Sequence, residues 1–295
     1  MTDKSIRYII VSIFFLLLFS CSPYSKKEDN QQVLRIFAVN YPLAYFAERI
    51  GGKHVKVINL IPKGVDPAGW SPGKGDIDKI ASCDLILLNG AGFTSWVEHA
   101  ELPSSKTVNT TQMVKDHYLS YRENKAMVPC TWIDFDMAKI QAGAVKNALA
   151  SRLPQYARDF EDGFLKLYHD LNKLNKKMVL VSDKLPCDVL YLYTVRPVYD
   201  YWANAYQLRL VNLDWTPGID TKESQWHVLN KLLENKPSNA ILWEIHPPEE
   251  IRRKLQNDFD LQSLVFNPCV QKPDSGNFIT VMKQNLDNLY EYSKY

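Results

Sequence analysis

The stretch "GVDPAGWSP" at 64–72 lies between an apolar run, "VKVINLIP", and a helix-like run, "KGDIDKIASC". It reads as a loop at the C-terminal edge of a sheet, where binding groups tend to gather. Asp66 is its one strong hydrogen-bonding side chain, and its middle position is Ala68. A second chemical pair stands in "LWEIHPP": Glu244 and His246 end an apolar strand-like run. The cysteines are Cys21, Cys83, Cys130, Cys187 and Cys269, with no Cys-x-x-Cys among them, which argues against a zinc ribbon or a thioredoxin-type site. The six histidines are scattered, with no pair at helical ligand spacing. There is no Gly-x-Ser-x-Gly elbow, no His-Glu-x-x-His and no phosphate-binding loop; "GKGD" at 73–76 lacks that spacing and reads as a helix entry. The residue types point to binding rather than to catalysis.

The elements that must position these groups follow from patterning. The 295 residues suit two cores, each of roughly 100–150 residues. A net charge of +2 with interspersed signs and no basic stripe argues against nucleic acid as a partner. The N-terminal half alternates strands (33–39, 55–61, 84–90) with helices (42–52 and about 74–82), the rhythm of a parallel sheet. Residues 136–177 read as one long helical segment, with Pro154 kinking or restarting it. The rhythm then resumes with strands at 178–182, 209–213, 240–244 and 264–268 and helices at 197–208, 223–236, 247–259 and 277–292. The expected architecture is α/β: two lobes with parallel sheets flanked by helices, joined by one long linking helix, with a ligand cleft between them. Its parts are an N-terminal lobe over 33–135, the linking helix over 136–177 and a C-terminal lobe over 178–295.

The first residues address the compartment. A charged start, "MTDKSIR", precedes the apolar run "YIIVSIFFLLLF", too short for a stable membrane span and suited to a signal peptide over 1–20. "LFSC" resembles the bacterial lipoprotein cleavage box, which implies lipidation at Cys21 and a flexible tether over 21–32. The implied location is the cell envelope outside the cytoplasm, on a lipid anchor. The other four cysteines allow two disulfides in three pairings, and Cys83 reads most simply as a core thiol.

The segment "NYPLAYFAERIGGKHVKVINLIPKGVDPAGWSPGKGDIDKIASCDLILLNGAGFTSWVE" resembles the zinc/manganese-type solute-binding lipoproteins of bacterial ABC importers. "TWIDFDMAKIQAGAVKNAL", "YDYWANAYQL" and "NFITVMKQNLDNL" follow in the family's order, and the resemblance covers roughly 33–292. It implies a metal ion held between two lobes by three histidines and a carboxylate, capture by the lobes, and delivery to a membrane permease by a monomer that is not an enzyme. By motif those ligand positions fall here on Ala68, Cys130, Arg196 and Asn267. All four usual ligands are replaced. Arg196 is a permanent cation, and only Cys130 remains a good soft ligand.

Three uses of such a cleft follow. Cys130, Glu244, His246 and Cys269 could form a rearranged site for a thiophilic or divalent ion, Cu or Zn, unless the two thiols pair or pack. Arg196 with Trp70, Trp132 and Tyr199, beside Asn267, could take an anionic or organic ligand. Against that pocket, Arg196 could pair internally with Asp134 or Glu244 and tie the lobes together; a third use is a binding-dead scaffold with fixed lobes that serves as an adhesion or docking surface.

Overall fold

The computed structural model describes residues 33–121, 127–185, 190–215 and 222–294. The expected signal peptide, the tether, Cys21 and Cys187 lie outside the described residues. In the N-terminal lobe, β1 (Leu34–Ala38), β2 (Val55–Ile58), β3 (Leu85–Leu88) and β4 (Thr107–Asn109) form a parallel sheet in the order β2-β1-β3-β4. The first helix, α1 (Tyr41–Gly51), starts where the Asn40 side chain accepts from the Leu43 amide at 3.1 Å, with Pro42 in its first turn. Its inner face buries Leu43, Phe46 and Ile50. The short α2 (Lys74–Ala81) follows the loop at 64–72.

Between the lobes the expected long helix is two helices, α3 (Phe135–Arg152) and α4 (Ala157–Ser182). The break falls at Leu153, before Pro154, whose ring cannot continue the helix. Asp134 caps α3, accepting from the amides of Asp136 and Met137. That role occupies Asp134, and it is not a partner of Arg196. The 178–182 segment, expected as a strand, forms the last turns of α4. Met178 and Val181 are buried while Val179 and Leu180 are exposed, which is helical rather than alternating spacing. At about 1.5 Å per residue α4 is nearly 40 Å long. It packs on α1 in the N-terminal lobe. A Cβ at Gly163 would meet the Ile50 carbonyl oxygen at 2.6 Å, so only glycine permits this close crossing.

In the C-terminal lobe, β5 (Leu192–Thr194), β6 (Leu210–Asn212), β7 (Ala240–Trp243) and β8 (Gln262–Val265) repeat the parallel order as β6-β5-β7-β8. Helices α5 (Asp200–Tyr206), α6 (Glu223–Asn235) and α7 (Glu249–Phe259) connect them. The strands are buried on both faces: Leu192, Ala240 and Leu242 join the core shared with the N-terminal lobe, while Tyr193, Ile241 and Trp243 pack in a second core with Trp215, Trp226 and Leu255. The last helix, α8 (Phe278–Tyr292), packs on α4 and returns to α1, where Phe278 meets Phe46 edge-on at 5.4 Å between ring centres. One continuous apolar core therefore runs through both lobes, bound lengthwise by α4 and α8.

Candidate functional site

Strand register makes the two lobes directly comparable. The Val39 amide donates to the Leu87 carbonyl at 3.1 Å, and the Val195 amide donates to the Leu242 carbonyl at 3.2 Å. Asn40 therefore corresponds to Arg196, and Asn89 to Glu244. Both pairs sit just past the C-terminal ends of the two central strands, where the strand order reverses and a crevice opens.

In the C-terminal lobe this crevice holds a charged cluster. Arg196 donates through Nε and NH2 to the two Glu244 oxygens, the NH2–Oε2 distance being 2.6 Å. Its NH1 reaches across to Asp66 Oδ2 of the other lobe at 3.1 Å. The other Asp66 oxygen accepts from the Ala68 amide at 3.0 Å and fixes the loop. The fork-to-fork geometry is the strong form of the arginine–carboxylate pair. Hydrogen bonding to Glu244 raises the Arg196 pKa above its ordinary value, although burial acts against it. Glu244 is 9 % exposed, whereas the Asp66 side chain is 42 % exposed, so the pair within the lobe is the stronger of the two.

Cys130 is buried beside this cluster. Burial pushes its thiol well above the ordinary range, with the charge of Glu244 next, and the charges of Arg196 and Asp66 also act on it. It is a free thiol that makes no hydrogen bond among the described residues. Its loop is held from the N-terminal lobe by Asn89, whose amide nitrogen donates to the Pro129 carbonyl at 2.9 Å. Asn89 Oδ1 accepts from Asn40, Gln141 and Thr131 in the same buried network. Asn40 and Asn89 carry no sequence signal beyond standing directly after an apolar run.

The remaining candidates separate into two groups. Trp132 and Tyr199 lie at the lobe interface, but their polar atoms are satisfied: Trp132 Nε1 donates to the Pro268 carbonyl and Tyr199 OH to the Phe266 carbonyl, both at 2.7 Å. Burial, followed by the Glu244 charge, keeps the Tyr199 phenol protonated well above its usual range. Asn267 turns its side-chain oxygen to the Cys269 amide at 2.7 Å. Cys269 is a free, buried thiol, raised by burial to about 12. Trp70, expected at the cleft, instead packs in the N-terminal core against Phe37 and Trp96, because an indole gains more from that apolar niche than from a charged rim. His246 is exposed, and Ala68 is half-buried.

Several further bonds cross the lobes. The Leu119 amide donates to Tyr201 OH at 3.0 Å, and Tyr121 OH donates to the Pro197 carbonyl. The Tyr41 amide donates to the Val270 carbonyl at 3.0 Å, and Gln271 bridges to Gly64 and Val65. Together with the Trp132–Pro268 bond they hold the cleft closed.

The positions that the family resemblance marks hold Ala68, Cys130, Arg196 and Asn267. Among the described residues no three His, Cys, Asp or Glu side chains are gathered closely enough to hold a metal ion. Cys130, Glu244, His246 and Cys269 do not assemble into the expected soft site: Glu244 is bonded to Arg196, His246 faces solvent, and Cys130 and Cys269 are buried, separate thiols.

The chain matches the family described as zinc-uptake complex component A, periplasmic, over residues 36–292. It belongs to this family. Members are substrate-binding transport proteins of ABC importers, not enzymes. The metal ABC transporter substrate-binding lipoprotein SloC of Streptococcus mutans is 24 % identical, over 95 % of this chain and 96 % of its own length. The manganese ABC transporter substrate-binding lipoprotein PsaA of Streptococcus pneumoniae is 23 % identical, over 96 % of each. The periplasmic zinc-binding protein TroA of Treponema pallidum superposes with a TM-score of 0.75 at 19 % identity, over 88 % of this chain and 99 % of its own. These likenesses agree with the two parallel lobes and the linking helix described above.

Proposed function

We propose that this chain is the lipid-anchored substrate-binding component of an ABC importer of the metal-uptake type, and that its interlobe cleft no longer takes a zinc or manganese ion at the position the family resemblance marks. It acts as a monomer outside the cytoplasm, held to a membrane through Cys21, and docks on a membrane permease. Membership of a family of importer components along nearly the whole chain supports the transport role.

One observation carries the reading of the cleft: a guanidinium lies between Glu244 and Asp66, where a cargo ion would need open anionic donors. Ala68 supplies no donor, the Asn267 side-chain oxygen accepts from the Cys269 amide, and a fixed positive charge repels an incoming cation. Both edges of the guanidinium are already engaged by carboxylates of the chain, which disfavours an added anionic ligand.

The test is metal content by mass spectrometry on the full lipoprotein, extracted from its native envelope without chelators, with the co-purifying membrane proteins identified. The expected result is a copurified ABC permease and far less than one equivalent of zinc, manganese or copper. A stoichiometric metal would overturn the reading of the cleft. Absence of any permease would overturn the transport role.

A further inference from the structure

We propose that a groove beside the free edge of β2 binds a short free peptide with an apolar middle, held as an added strand parallel to β2, its amino terminus at Glu48 and its carboxylate at Lys272. This groove is distinct from the interlobe cleft: none of Ala68, Cys130, Arg196 and Asn267 lines it, nor do Asp66 and Glu244.

β2 is the outer strand of its sheet, so one of its edges has no neighbouring strand. The register determines which groups that edge presents. The Arg35 carbonyl accepts from the Asp84 amide at 2.9 Å, and the Val39 amide donates to the Leu87 carbonyl at 3.1 Å. Alternate residues of β1 therefore turn to β3, and Leu34 and Ile36 turn to β2. Ile36 stands opposite Val57, so its bonds go to Lys56 and Ile58 on either side. The Val57 N–H and C=O point out of the free edge, where they have no partner among the described residues. An unpaired donor and acceptor on one edge residue is the grip that an added strand uses.

Val57 also lines a cavity of about 470 Å³, a size within the range of about 300–1,000 Å³ usual for small-ligand pockets. One wall is Tyr41, Ala44 and Glu48, which share a face of α1. Another is the 270–274 segment, fixed in place by the Tyr41–Val270 bond, the Gln271 bridge and the Lys63–Asp274 pair. Ile61 and Pro273 add apolar surface beside Val57 and Ala44.

Two charges of opposite sign stand on the rim. Glu48 and Lys272 are exposed, and neither has an ion-pair partner among the described residues. α1 runs back along the sheet between the parallel β1 and β2, so Glu48 lies about 10 Å below Tyr41, the residue that holds Val270. Three extended residues span about 10 Å. The free termini of a tripeptide therefore match Glu48 and Lys272, in the order that sets the peptide parallel to β2. An internal segment of a folded partner carries neither terminal charge, so a free peptide is the occupant that this rim favours.

The test is calorimetric titration of the tripeptides Ala-Val-Ala, Ala-Leu-Ala and Ala-Phe-Ala into the full-length protein in detergent. Each is used with free termini, N-acetylated and C-amidated, beside free valine. At least one free tripeptide is expected to bind one-to-one with a Kd of about 100 µM or tighter. Acetylation should weaken it about tenfold in the wild type, and Glu48→Gln should bind the free form that much more weakly and lose nothing further on acetylation. Lys272→Gln should show the same pattern toward amidation. Val57→Pro removes the outward N–H without touching the β1 ladder, and should weaken binding of every peptide. Hydrogen exchange at 55–58 should slow in the complex.

No binding by any of the three free tripeptides overturns the proposal. So does binding that is indifferent to blocking of both ends. Free valine binding as tightly as the tripeptides would make the cavity an amino-acid site and overturn strand addition. Unchanged exchange at 55–58 in the wild-type complex would overturn it too, and that measurement decides the point if Val57→Pro does not fold. A stoichiometric metal in the cleft would refute the reading of the cleft and leave this groove standing.

Discussion

The two lobes use one topology for opposite ends. In each, the crevice between the two central strands is filled by a pair of side chains at matching register positions. In the N-terminal lobe these are Asn40 and Asn89, both about 98–99 % buried, neutral, and tied to Gln141, Thr131 and Pro129. In the C-terminal lobe they are a part-exposed Arg196 and a buried Glu244, charged, and extended to the other lobe by Asp66. Amides satisfy one another locally and make a rigid plug. A guanidinium has more donors than one carboxylate can absorb, so it reaches outward and joins the lobes. The difference in side-chain chemistry, at constant backbone position, separates a structural crevice from a cleft.

Breaking the amide side should have the largest effect. Asn89→Ala removes the acceptor shared by the buried Asn40, Gln141 and Thr131 side chains and one donor to the Pro129 carbonyl, and should cost about 3 kcal/mol of unfolding free energy in a denaturant melt. A loss below about 0.5 kcal/mol, within the range of an ordinary surface change, would show that the plug is dispensable. Breaking the ionic side should cost less, because Arg196 is a third exposed and water can replace its partner. Glu244→Gln is expected to destabilise by about 1–2 kcal/mol, with the effect shrinking in high salt. A salt-independent loss would mean that packing, not charge, is what Glu244 supplies.

The buried thiols sharpen the comparison through pH. Cys269 is raised by burial to about 12, from an ordinary value of 9.0. A folded pKa above the unfolded one means that the unfolded chain releases its proton first. The thiol's contribution is therefore complete below pH 9 and is lost as pH rises toward 12. Melts at pH 8 and pH 10 should show Cys269→Ala losing about 1 kcal/mol less stability across that interval than the wild type. Equal slopes would mean that Cys269 titrates normally. The smallest effect is expected at the exposed end of the ionic side. Asp66→Asn should cost about 0.5 kcal/mol or less, yet hydrogen exchange at 66–69 should accelerate because that part of the loop loses its tie to Arg196, leaving only the Gln271 bridge at Gly64 and Val65. Unchanged exchange there would show that the Arg196–Asp66 contact does not restrain the loop.

Much of this arrangement was legible in the sequence because parallel sheets leave a strong record. Apolar runs separated by helical periods gave the α/β class. The errors have local causes. "MVLVS" is apolar and β-branched, but it continues a helix already running, and its burial follows that helix. The true strand, Leu192–Thr194, is three residues long, too short to show a period. Trp70 looked like a cleft aromatic because it neighbours Asp66, yet successive loop residues point in different directions and it turns into the core. Arg196 and Glu244 could be named as one possible pair. The third member, Asp66, could not, because a contact spanning 130 residues between two lobes leaves no pattern in either.

The central claim is that the cation in this cleft is a side chain. Crystals of the protein grown with Zn²⁺ and measured at the zinc absorption edge test it most directly. The expected map shows guanidinium density joining Glu244 to Asp66 and no anomalous peak between them. An anomalous peak between those two carboxylates, with Arg196 turned out to solvent, would contradict it.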